Sequence, residues 1–151
     1  HFNCDDFIYN RGNGLINTFA KLKRGEPINV LYLGGSVTNG SGLATEAERE
    51  TLSWRALTTK WFKNNFPAAT ITEKCMAIGG TGSEYAVHRI DRALLSLSGD
   101  VPDLVFIETA VNDVYDGNIG DVAKEALEGI IKKIYSKIYF KNYQKINRSF
   151  S

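Results

Sequence analysis

Three short apolar runs, each emptying into a loop of glycines and small polar residues, constrain this chain more than any other feature. Residues 28–33 read "INVLYL" and lead into "GGSVTNGSG"; residues 69–78 read "ATITEKCMAI" and lead into "GGTGSE"; residues 103–108 read "DLVFIE" and lead into "TAVNDVYDGN". Near-continuous apolar runs of this length fit strands buried on both faces, which is how parallel sheets read. Between them lie segments of helical period. The spacing predicts helices over 13–23 (Leu15, Ile16, Phe19 and Leu22 inward), 46–64 (Leu52, Leu57, Trp61 and Phe62 inward), 83–97 and 121–135. Ser83 fits an N-cap, with Glu84 in the first turn. Strand, glycine loop and helix in repetition argue an α/β fold with a parallel sheet covered on both faces. The expected organisation is one domain over residues 1–151, without an internal repeat or a low-complexity linker.

Length and charge narrow the classes further. A chain of 151 residues suffices for one real core but not two. No apolar run approaches the roughly 18 residues that a membrane-spanning helix needs. After Glu128 lie six of the 18 basic residues and none of the 17 acidic ones, so the body is mildly acidic and the tail basic. A nucleic-acid footprint more often takes the form of a basic face on the folded body, so no nucleic-acid partner is expected. The first residue is His1, which fits either a processed, secreted end or a fragment boundary. Cys4 and Cys75 are a pair in an oxidising compartment or two separate thiols.

In a parallel α/β sheet, ligands bind at the carboxyl ends of the strands, and all three small-residue loops leave from there. For the first loop, a phosphate cradle requires G-x-x-x-x-G-K-[ST]. Gly35 and Gly40 have the glycine spacing, but Ser41 stands in the lysine position, and G-x-G-x-x-G is absent. No nucleotide or other cofactor is expected, and no metal. A nucleophile fits better. A serine at a strand end exposes its hydroxyl at the start of the next helix, and flanking glycines let a carbonyl approach the backbone. Acyl transfer also needs donors for the developing oxyanion. Gly80 in the second loop and Asn112 in the third offer a backbone N–H and a carboxamide from neighbouring strand ends. Taken singly, Ser36, Gly80 and Asn112 are each compatible with a mere turn.

Together these blocks resemble the SGNH hydrolases, the GDSL-type esterase/lipase superfamily. "YLGGSVTNGSG" resembles the first family block in its "GGS-[IV]-T" form, with Ser36 at the nucleophile position. "AIGGTGS" resembles the second, with Gly80 at the oxyanion glycine, and "PDLVFIETAVND" the third, with Asn112 at the oxyanion asparagine. The lead-in "KLKRGEPINV" is similar to the same branch, and the resemblance covers about residues 10–130. It implies a three-layer α/β/α, flavodoxin-like fold and metal-free ester hydrolysis through a serine acyl-enzyme. The implied substrate is a small-molecule or carbohydrate acyl ester. The fourth family block, D-x-x-H near the C-terminus, has no counterpart here: the two histidines are His1 and His88, neither in such a motif. His88 precedes Asp91 by three, the reverse of the family order, and reads as a helix-surface histidine paired with Asp91.

After "EALEGIIKKIYSK" the family pattern calls for a fourth and a fifth strand. The chain has "IYFKNYQKINRSFS", which is either a departure from the domain or an amphipathic helix continuing to about residue 146 with Ile134, Ile138 and Tyr139 on its apolar side. Under both readings the sheet stops at three strands, which leaves an edge and an apolar face uncovered. The expectation is therefore an SGNH-type esterase domain without its Asp–His pair and inactive as written. The alternative is a catalytically inactive SGNH-like domain that binds acylated glycans or a protein partner.

Overall fold

The computed structural model describes residues 15–97, 101–117 and 120–148, with side chains as far as 139. Three strands, β1 (Ile28–Gly34), β2 (Ile71–Cys75) and β3 (Leu104–Glu108), form one parallel sheet in the order β2-β1-β3. Val30 faces Glu73 on β2 and Leu104 on β3, so β1 is the centre. That position explains its composition: five of its residues lie in a buried run from Val30 to Gly34. The chain runs from β1 to β2 on one side and then returns past β1 to β3 on the other. Helices therefore cover opposite faces, and the crossing point opens at the carboxyl end of β1.

Side-chain alternation along β1 splits the core in two. Ile28, Val30 and Tyr32 pack with Leu22, Phe62, Ile71 and Leu104 under α1 (Ile16–Lys23) and α4 (Trp54–Asn65). Leu31 and Leu33 pack with Ile90, Ala93, Leu94 and Ile130 under α5 (Ser83–Leu95) and α7 (Asp121–Arg148). Tyr32 stacks on Phe106 at 5.0 Å and meets Trp54 edge-on at 5.4 Å. Its hydroxyl pairs with Thr59 Oγ1 at 3.1 Å, and burial pushes the phenol up to about 12. These are the three layers of an α/β/α domain.

The helix expected over 46–64 is two helices, α3 (Glu46–Leu52) and α4, broken at Ser53. Ser53 adopts an extended backbone (ψ 155°), and its Oγ both donates to Arg49 O at 2.6 Å and accepts from Ala56 N at 3.4 Å. The break resets the helical phase. Leu52, Leu57 and Trp61 face solvent, while Arg55, Ala56, Thr59 and Phe62 face the sheet. In the same way Leu15 and Ile16 are exposed, and Thr18 and Leu22 carry the inner face of α1. Thr18 Oγ1 donates to Asp103 O at 2.7 Å, and Asp103 Oδ2 accepts from Asn29 N at 2.8 Å, tying α1 and β1 to the start of β3.

The basic tail follows the helical alternative: α7 continues unbroken to Arg148. Ile134 packs against the core, whereas Tyr139 is exposed. Among the described residues no strand pairs with the outer edge of β3, whose residues are only half-buried beyond Leu104. Beside that edge, Ile107, Ala110, Val114, Ala123 and Leu127 line a largely apolar hollow of about 400 Å³. An unpaired edge next to apolar surface templates association. The 151-residue chain is accordingly expected to associate at micromolar concentration in light scattering; a monodisperse monomer with a cooperative melt would contradict this.

Candidate functional site

The three loops expected at the strand ends converge. After β1, Gly35 leads into α2 (Ser36–Asn39), so Ser36 is the first residue of a single turn and is half-exposed. Gly40, at φ 76°, ends that turn, and Ser41 N returns to Ser36 O at 3.0 Å. The turn is held from β3: Gly35 N donates to Glu108 O at 3.2 Å, and buried Thr38 donates through Oγ1 to Glu108 Oε2 at 3.0 Å. Glu108 thus orients the Ser36 turn, a partnership that sequence alone left unnamed.

The second loop arrives alongside β1. Met76 N donates to Tyr32 O at 2.8 Å and Ile78 N to Gly34 O at 2.9 Å, extending the pairing beyond β2. This carries Gly79 against the Ser36 turn: a Cβ built on Gly79 would lie 3.8 Å from Ser36 Cβ and 3.5 Å from Ser41 Oγ. Gly80 follows at φ 75°, the left-handed region that favours glycine, and its Cβ direction points into open space.

The third loop is a short helix, α6 (Ala110–Tyr115), where turn residues alone were expected. It points Asn112 inward. Asn112 Nδ2 donates to Thr81 O at 3.0 Å and occupies the place where a side chain on Gly35 would stand. Ser36, Gly80 and Asn112 therefore come from three strand ends into one neighbourhood. A Cβ on Gly35 would collide with the Asn112 amide unless the asparagine shifted.

Asp113, the residue after Asn112, is a buried clamp. Its Oδ1 accepts from Ser83 N at 2.6 Å and Ser83 Oγ at 2.9 Å, joining α6 to the first turn of α5. The N-cap of α5 is Gly82, not Ser83, and the acceptor for the Ser83 N–H comes from Asp113. No local spacing signals this, because the partner lies 30 residues away.

His88 lies exposed on α5, with Gly80, Tyr85 and Asp116 around one open pocket. Asp91, its expected partner, pairs instead with Lys133 on α7 at 3.0 Å. His1 and Cys4 lie outside the described residues. Cys75 is a half-buried free thiol whose pKa is raised by burial. No cluster of metal-ligating side chains occurs among the described residues, and no described helix is long and apolar enough to cross a membrane.

No protein-family model matches the chain, and no curated protein matches it. Among solved structures, a two-domain esterase (CEX) active on acetylated mannans is similar at 35% identity and a TM-score of 0.67 over 80% of this chain. The SGNH-hydrolase family esterase AlinE4 is similar at 23% identity and a TM-score of 0.61 over 74% of this chain. The chain shares the fold of that esterase. A psychrotrophic esterase from Pseudoalteromonas sp., inhibited by monoethylphosphonate, is similar at 24% identity and a TM-score of 0.58 over 72% of this chain. The chain spans 30% of the length of the mannan esterase and 55% of that of AlinE4. The three-stranded parallel sheet and its helices thus correspond to part of the fold of these esterases.

Proposed function

We propose that this SGNH-type domain acts on acyl esters, with Ser36 as nucleophile and with the Gly80 N–H and the Asn112 carboxamide as oxyanion donors beside the Ser36 N–H. The observation that carries this reading is the position of Asn112 Nδ2 against Gly35, one residue before the candidate nucleophile. In the reaction, Ser36 Oγ bonds to the ester carbonyl carbon as a base takes its proton, and the carbonyl oxygen gathers negative charge. Collapse breaks the bond to the alcohol, which leaves with a proton. Water then hydrolyses the acyl-serine, releasing the carboxylic acid and restoring the hydroxyl. Preorganised donors at the oxyanion are worth about 3 kcal/mol each. The substrate class is a carbohydrate-linked acetyl or acyl ester, in keeping with the mannan esterase similar at 35% identity.

The same residues lack a proton acceptor, since neither histidine stands in a D-x-x-H block. A second reading is a domain that binds acylated glycans without turnover. Both readings meet in one experiment. A fluorophosphonate probe is expected to label the 151-residue chain very slowly at neutral pH. Added imidazole, serving as an external base, is expected to accelerate labelling at least about tenfold. Ser36→Ala removes that labelling. No Ser36-dependent labelling at any imidazole concentration would leave only the binding reading.

A further inference from the structure

The pocket that holds His88 shares a wall with the proposed oxyanion hole, and an ester has two arms. We infer that this pocket receives the alcohol arm as a neutral sugar ring, an assignment that rests on the acyl-ester reading of Ser36. The hollow measures about 290 Å³ and is lined by Gly80 and Thr81 on the loop, by Glu84, Tyr85 and His88 on α5, and by Asp116 at the end of α6. It begins at Gly80, next to Gly79, whose Cβ direction faces Ser36 Cβ. Its other wall is continuous with Asn112, because Thr81 O accepts from Asn112 Nδ2 and Asp116 N donates to Asn112 O at 2.8 Å. A carbonyl held between Gly80 and Asn112 therefore has this pocket as its immediate neighbour.

The lining decides which arm enters. An imidazole, a phenol, a hydroxyl and the Asp116 carboxylate set hydrogen-bond partners beside a comparable apolar surface, the mixture of polar and C–H faces that a sugar ring presents. Tyr85 is half-exposed, and Arg89 stacks over its ring at 5.5 Å, which fixes the ring for contact with the C–H face of a sugar. The Asp116 carboxylate disfavours an anionic ring, so the arm is a neutral hexose rather than a uronic acid or a sugar phosphate. The acyl group then lies away from α5. His88 serves here as a hydroxyl partner, not as the base for Ser36.

The test is calorimetric binding of acetylated mannopentaose to the whole 151-residue chain. The expected result is measurable binding that His88→Ala, Asp116→Asn and Tyr85→Ala each weaken about fivefold or more. Lys132→Ala, far along α7, should bind as wild type. All four positions are solvent-facing, and a thermal melt checks that each variant folds. An acetylated oligogalacturonate should bind about tenfold more weakly than the mannopentaose. Failure of the wild-type chain to bind acetylated mannopentaose, or equal binding by the three pocket variants, would overturn the assignment; equal binding of the galacturonate would overturn its neutral character. The imidazole experiment on wild type and Ser36→Ala reads the nucleophile separately. Glycan binding lost in the pocket variants without Ser36 labelling would keep the subsite and reject the nucleophile, and the converse would do the reverse.

Discussion

Asn112→Ala is expected to slow imidazole-assisted acylation of Ser36 about 10²–10³-fold, the effect of deleting one oxyanion donor. The carboxamide meets the turn from the side of Gly35, so its loss removes a donor without moving the nucleophile backbone, which β3 holds through Glu108. Among the described residues Asn112 Nδ2 donates to the Thr81 carbonyl alone, so stability should fall by about 1 kcal/mol or less. Gly35→Ala reaches the same end by the opposite route. Its methyl group would collide with Asn112 Nδ2 and stand 3.1 Å from Thr81 O, so the asparagine or the turn must shift. A comparable loss of rate is expected, together with a destabilisation of about 1–3 kcal/mol from overpacking. Burst labelling against imidazole concentration reads the rates, and urea unfolding reads the stability. Wild-type labelling rates in Asn112→Ala would remove the asparagine from the oxyanion hole.

The largest expected change in stability lies on the other side of β1. Arg55 of α4 is 2% exposed, held between Glu50 at 2.5 Å and Glu73 on edge strand β2. The two carboxylates keep the guanidinium charged although burial opposes it, and Arg55 in turn holds the Glu50 carboxyl below its ordinary range. Removing one partner of a buried pair leaves the desolvated charge uncompensated, at a cost of about 3–5 kcal/mol. Glu73→Ala should fall at the lower end, about 3 kcal/mol, because Glu50 remains. Glu50→Gln, at the exposed end of the triad, should cost about 1 kcal/mol or less. Arg55→Met combined with Glu73→Leu replaces charge by apolar volume and should recover most of the loss. Urea midpoints with unchanged slopes would establish the order; an unaffected Glu73→Ala would show that Glu50 alone satisfies Arg55.

The placement of the candidate site residues was legible because they belong to short local blocks. Ser36, Gly80 and Asn112 each follow an apolar strand within a few residues, and a parallel sheet sends all its carboxyl ends to one side. Other residues were misread wherever the deciding partner was remote. The inner face of α4 depends on the break at Ser53 and on Glu73, so helical period alone favoured Leu57 and Trp61 over Arg55. Asp113 looks like a turn residue until Ser83 comes within 2.6 Å, and Asp91 looks like a partner for His88 until α7 brings Lys133.

By itself, then, the sequence determined the strands, their glycine-rich exits and the three residues that meet there. Hydrophobic period and glycine placement are local properties, and they act before the chain closes on itself. Only the tertiary structure decided how those residues are held: Glu108 orienting the Ser36 turn, Asn112 filling the space left by Gly35, and Tyr85, His88 and Asp116 gathered into a pocket beside Gly80. Those relations join segments tens of residues apart, and they arise when the sheet sets β1 between β2 and β3.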